Sequence, residues 1–142
     1  MQIGITTLSG TTYGGITYFR NLIPALAQID TDNEYHIFVP HNDALPRLVD
    51  QANFLFHACS ADVTSAWRRL CWEQLVLPLE LKKRKIDILF TAKNVSVLLA
   101  HCKTVIAIRN MEPFAYQDYQ NSLRMNLASF LRFRLSRASL KK

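Results

Sequence analysis

Five short runs rich in β-branched and aromatic residues alternate with helical periods along this 142-residue chain, and that alternation leaves few folds open to it. The runs lie at 2–8, 35–39, 54–59, 86–90 and 104–108. Between and after them the spacing predicts helices over 15–29, 43–51, 65–84 and 122–140. Strands separated by helices give a parallel sheet covered on both faces. Right-handed crossovers make the sheet doubly wound, with strand order 3-2-1-4-5. Pro24 is expected to bend or restart the first helix, and Pro78 to break the third. The predicted apolar stripe of the third helix includes Trp67, Leu70, Cys71, Leu75, Leu77 and Leu81. The pattern is one α/β, Rossmann-like domain over 1–142, and it ends after a helix where a further strand would continue it. On that pattern the chain reads as truncated.

All four glycines, Gly4, Gly10, Gly14 and Gly15, fall between the start of the first strand and the start of the first helix. A strand that opens through a glycine turn into a helix is suited to anions. The helix start offers free N–H groups and a positive dipole end, and glycine lets the backbone come close to a phosphate. No G-x-G-x-x-G is present, so the dinucleotide fingerprint fails. Gly10 and Gly15 have P-loop spacing, but Ile16 stands where that loop needs its lysine. The plainer reading of Gly14 and Gly15 is a tight turn with close helix–strand packing.

Charge bears on partners. The chain has 17 Lys and Arg against 11 Asp and Glu, a net charge of +6. Residues 1–123 hold eleven of each sign, so the whole excess lies in 124–142: Arg124, Arg132, Arg134, Arg137, Lys141 and Lys142. That is a basic tail, expected either to pack its apolar side or to meet anionic lipid headgroups, and not a nucleic-acid surface. No signal-peptide pattern or membrane-length apolar run is present, and Cys59, Cys71 and Cys102 form no C-x-x-C pair. These features point to the cytoplasm, with peripheral contact at the inner face of the membrane.

Several segments together resemble the N-terminal domain of retaining glycosyltransferases of the group 1 (family 4) type. They are Gly14-Gly15-Ile16-Thr17-Tyr18-Phe19 with Asn21 to Leu26, Asp30-Thr31-Asp32-Asn33-Glu34-Tyr35, Trp72-Glu73-Gln74-Leu75-Val76-Leu77-Pro78, Ile86 to Phe90, and Arg109-Asn110-Met111-Glu112-Pro113-Phe114. The resemblance spans nearly the whole chain. It implies a GT-B enzyme of two Rossmann-like domains that moves a sugar from a nucleotide-diphosphate donor to a glycan or lipid-linked acceptor. Anomeric configuration is retained and no metal or other cofactor is needed. The N-terminal domain binds the acceptor, and its glycine loop, here Gly14 and Gly15, approaches the donor diphosphate. The nucleotide sugar is held by a C-terminal domain to which nothing in these residues corresponds, and the acidic E-x7-E element is missing with it. This chain alone is therefore expected to be inactive.

The acceptor site is expected on Tyr13, Asn94, Arg109, Asn110 and Glu112. The resemblance covers Arg109, Asn110 and Glu112, while Asn94 beyond the fourth strand can bond a sugar hydroxyl and Tyr13 beside the glycines can stack on a ring. Many family members have histidine then aspartate where Arg109-Asn110 stands. Arginine does not act as a base in proteins, but its planar fork can clamp a phosphate or carboxylate. Each site residue also has a plainer role: Arg109 as a solvated strand-end cation, Asn94 and Glu112 as turn formers, Tyr13 as packing. No catalytic residue is legible. His57 and Cys59 share a strand face, yet no further ligands stand at metal spacing, and His36, His41 and His101 form no ligand pattern. Two other functions fit the same sequence: a stand-alone flavodoxin-like module holding a phosphate ligand, and a membrane-associating fragment led by its basic tail.

Overall fold

Each of the five apolar runs forms a strand. The computed structural model describes residues 1–8, 13–41, 43–60, 65–93 and 96–108. In chain order the elements are β1 (Gln2–Thr6), α1 (Tyr13–Ile29), β2 (Glu34–Pro40), a 3-10 turn (Leu45–Arg47), β3 (Phe54–Cys59), α2 (Ala66–Cys71), a π-helical turn (Trp72–Val76), α3 (Leu77–Lys83), β4 (Ile88–Thr91) and β5 (Lys103–Ile106). All strand pairs are parallel and the order is β3-β2-β1-β4-β5, as the alternation predicts. β1 is central. Its Gly4 lies opposite His36 and Leu89, and its Thr6 opposite Phe38 and Thr91.

Side chains alternate across the sheet and build a core on each face. On one face Ile5, Tyr35, Ile37, Val39 and Phe54 bury themselves with Phe19, Ile23 and Ala27 of α1. On the other, Phe38, Cys59 and Leu89 pack with Trp72, Leu77 and Leu81 of the α2–π–α3 segment. Gly4 belongs to this second face. A Cβ there would sit 3.2 Å from Ile86, 3.3 Å from Leu81 and 3.4 Å from Leu89, so this glycine makes room for α3 and does not serve an anion loop.

Three expectations are corrected, and at Pro24 one of the two expected outcomes, a restart, does not occur: α1 runs through it. The one bond that proline removes is to the carbonyl of exposed Arg20, within reach of water. Pro78 does not end the third helix either. It sits in the first turn of α3, just after the π turn, where Leu77 N–H bonds back to Trp72 O and a missing donor is tolerated. The helix predicted over 43–51 is a single 3-10 turn, with the Asp43 carboxylate accepting from Leu45 N–H and Pro46 inside the turn. The predicted stripe of the third helix is also displaced: Trp67 is 52% and Leu75 61% exposed, and the buried residues are Trp72, Glu73, Leu77, Pro78 and Leu81. Steps of four residues (73, 77, 81) drift by about 40° each on an ideal α-helix, and the wider π turn absorbs that drift. The helix predicted over 122–140 lies outside the described residues.

α3 ends on a complete Schellman cap. Ile86 N–H bonds Leu81 O at 3.0 Å, Lys85 N–H bonds Lys82 O at 3.1 Å, and Lys85 takes a left-handed φ of 53°. Before β2, the Asp30 carboxylate accepts from Tyr35 OH (2.6 Å), Asn33 Nδ2 (2.7 Å), Asp32 N–H and Asn33 N–H. The Tyr35 bond, followed by those from Asn33, holds the Asp30 carboxyl well below the usual carboxylate range, while burial pushes Tyr35 up to about 12. Among the described residues no helix is long and apolar enough to cross a membrane.

Candidate functional site

In a sheet of this order ligands gather at the carboxyl ends of the strands where the winding reverses, here between β1 and β4. That end of the molecule is polar and buried at once. Thr6 and Thr91, register partners on the two strands, are fully buried and point toward the α2–π–α3 segment. Thr7, one residue on, is satisfied: its hydroxyl donates to Phe38 O at 3.1 Å. The Thr6 and Thr91 hydroxyls have no partner among the described residues.

Facing these strand ends is Glu73, carried on the π turn. Its Oε2 pairs with the Lys93 ammonium, two residues past the end of β4, and among the described residues its Oε1 has no hydrogen-bond partner. The Glu73 side chain is 2% exposed and that of Lys93 13%, so Lys93 is the outer member of the pair. Burial pulls the Lys93 ammonium below its ordinary range; Glu73 opposes that shift and the nearby Arg69 cation adds to it. Gln74, the next residue of the π turn, holds Ser96 and Leu98. Its Nε2 donates to Ser96 O at 2.9 Å and its Oε1 accepts from Leu98 N–H at 3.0 Å. Cys59 lies in the same layer, its thiol pushed up to about 12 by burial and by Glu73, so it stays protonated.

The glycine-bearing helix start belongs to the same end of the sheet. Tyr13, Gly14 and Gly15 form the first turn of α1; Gly14 is exposed and Gly15 buried. No glycine among the described residues has a positive φ, so Gly14 and Gly15 act as helical residues without side chains and not as a left-handed turn. Asn94, Arg109, Asn110 and Glu112, the side chain of Tyr13, and the tail 124–142 lie outside the described residues.

Sequence reasoning passed over Glu73 and Lys93 as site residues. The available signal was a carboxylate four residues before Leu77 and eight before Leu81, on the buried line of a helix. It also missed a histidine pair. His36 Nδ1 lies 2.9 Å from His57 Nε2, and the rings stack with centroids 5.1 Å apart. His36 Nε2 faces Gln2 Oε1 at 2.7 Å and Glu34 Oε1 at 3.2 Å, and Arg84 Nε donates to His57 Nε2 at 3.2 Å. Arg84 is itself paired with Glu80. This network lies under the end of α3, toward the amino ends of the strands, away from Glu73. Among the described residues no three His, Cys, Asp or Glu side chains are placed to hold a metal ion.

Burial, with the Arg84 cation, lowers His57 from its ordinary value to about 4, and burial also lowers His36. Both rings therefore bind a proton less readily folded than unfolded. The stability of the neutral pair is complete above about pH 6.5 and is lost as the pH falls toward about 4. After discounting for solvent screening, the loss is about 1–2 kcal/mol. Urea midpoints at a series of pH values are expected to fall across this window in the wild type and less so in His57→Gln. Identical pH profiles would show that the pair does not govern acid stability.

No protein-family model, curated protein or solved structure matches this chain.

Proposed function

We propose that this chain is the acceptor-side domain of a retaining GT-B glycosyltransferase, working with a second domain that holds the nucleotide sugar. The observation that carries this reading is a buried polar group set at the strand-order reversal, beside a helix whose first turn carries two glycines. Thr6, Thr91, Glu73 and Lys93 offer hydrogen-bonding and charged groups where an acceptor would lie. The amides at the start of α1 offer donors to a diphosphate, free of any Cβ at Gly14 and Gly15. The quoted segments, Trp72-Glu73-Gln74 among them, add a sequence resemblance to this arrangement.

In the proposed reaction the bond from the anomeric carbon to the diphosphate oxygen breaks, the acceptor hydroxyl oxygen bonds that carbon, and the hydroxyl proton passes to the leaving diphosphate. Charge grows on the leaving diphosphate, and the Gly14 and Gly15 amides stabilise it together with cations of the second domain. The test is glycosyl transfer by the two-domain protein, followed with labelled nucleotide sugars. Gly15→Val puts a branched side chain where the phosphate approaches, and transfer is expected to fall by about 100-fold, the usual cost of losing one such donor. Circular dichroism checks the fold of the variant. Wild-type turnover in a well-folded Gly15→Val protein would remove the diphosphate role, and absence of transfer with every nucleotide sugar would remove the transferase reading.

A further inference from the structure

Lysine has three N–H donors and a carboxylate two accepting oxygens. In the buried pair only one contact is made. Glu73 Oε2 takes one Lys93 donor, and no second acceptor for Lys93 is found among the described residues. Among the described residues Glu73 Oε1 accepts nothing, and the Thr6 and Thr91 hydroxyls in the same layer are equally unmet. A half-satisfied ionic network is costly in a low-dielectric site, so its unused valences mark what is to be bound there. They call for a group that accepts from an ammonium and donates to a carboxylate at once. A hydroxyl does both, whereas a phosphate or carboxylate would accept from Lys93 but set like charge against Glu73.

We infer that Glu73 and Lys93 hold a hydroxyl of a neutral, hydroxyl-rich acceptor, its oxygen taking a Lys93 N–H and its proton directed to Glu73 Oε1. This rests on the acceptor-side reading above and adds to it an uncharged polyol or sugar as the group bound. The way in is past Lys93, the more exposed member. Gln74 keeps Ser96 and Leu98 docked on the π turn, and with them the chain that follows β4 is held before the ligand arrives. Thr6 and Thr91, register partners on the sheet face that the α2–π–α3 segment covers, can accept or donate as a second hydroxyl requires.

The probe is methyl α-glucopyranoside, titrated into the 142-residue chain while the Lys93 side-chain and 91–93 amide resonances are followed by NMR. A saturable shift at Lys93 is expected. The shift of the 91–93 amides is expected to vanish in the double variant Glu73→Leu/Lys93→Met, which removes both charges together and leaves no unpaired ion behind. Inorganic pyrophosphate is the second arm. A response to pyrophosphate alone, no response at Lys93, or an unchanged response in the double variant each overturns the hydroxyl site. The two-domain protein separates this inference from the reading it rests on. A Lys93 shift without any sugar transfer keeps the hydroxyl site and removes the transferase. Transfer that survives the double variant with unchanged acceptor KM keeps the transferase and removes the hydroxyl site.

Discussion

Replacing Lys93 by methionine is expected to destabilise the domain by about 3–5 kcal/mol, because it leaves the Glu73 carboxylate buried and uncompensated. Set against the roughly 5–15 kcal/mol that holds a typical domain together, this is a large loss, and Tm should fall by about 10 °C or more. The pair itself is not a source of stability on that scale. Drawing two charges out of water costs about as much as their attraction returns, so Glu73→Leu/Lys93→Met should regain most of the loss or exceed the wild type. Chemical denaturation of the two single variants and the double variant measures this directly. A double variant as unstable as Lys93→Met would mean that the damage comes from packing around residue 93 and not from the stranded charge.

The second large effect is expected where α3 meets β1. Leu81 is 1% exposed and packs over Gly4, whose missing Cβ makes space for it. Leu81→Ala should cost about 2–5 kcal/mol, the transfer term plus the cavity. Gly4→Val alone forces atoms against Ile86, Leu81 and Leu89 and should cost about 1–3 kcal/mol. Combined, the two changes exchange volume across one contact, and the pair should be less destabilised than the sum of its members by about 1 kcal/mol or more. Strict additivity would show that the Gly4 Cβ position and the Leu81 side chain do not compete for the same space.

The strand runs were legible because buried parallel strands are nearly continuous apolar segments. The strand order followed from the crossovers alone. The π turn was not legible: nothing in Trp72-Glu73-Gln74-Leu75-Val76 announces a wider turn, and a strict helical period therefore assigned Trp67 and Leu75 to the core. Glu73 and Lys93 were hidden by distance along the chain. Each, taken singly, reads as a solvated charge, and only the return of β4 beside β1 brings them into one buried layer. His36 and His57 illustrate the same limit in the sheet. They stand on different strands, on one face, in a diagonal that only the β2–β3 register reveals. Gly4 was grouped with the loop glycines by proximity in sequence, although its role is set by Leu81, Ile86 and Leu89 far along the chain.

The position of β1 also governs how the protein emerges from the ribosome. Its first neighbour, β2, follows within a few tens of residues. Its second neighbour lies much later: Gln2 N–H meets the Asp87 carboxylate across 85 positions. At typical elongation rates of about 5–20 residues per second that interval lasts about 4–17 s. Throughout it, the nascent β1 presents a row of unpaired backbone groups, the edge that draws foreign strands. Newly made chains are thus most vulnerable to mispairing in the seconds before β4 is synthesised, and the strand at the centre of the finished sheet is, for that time, at its margin.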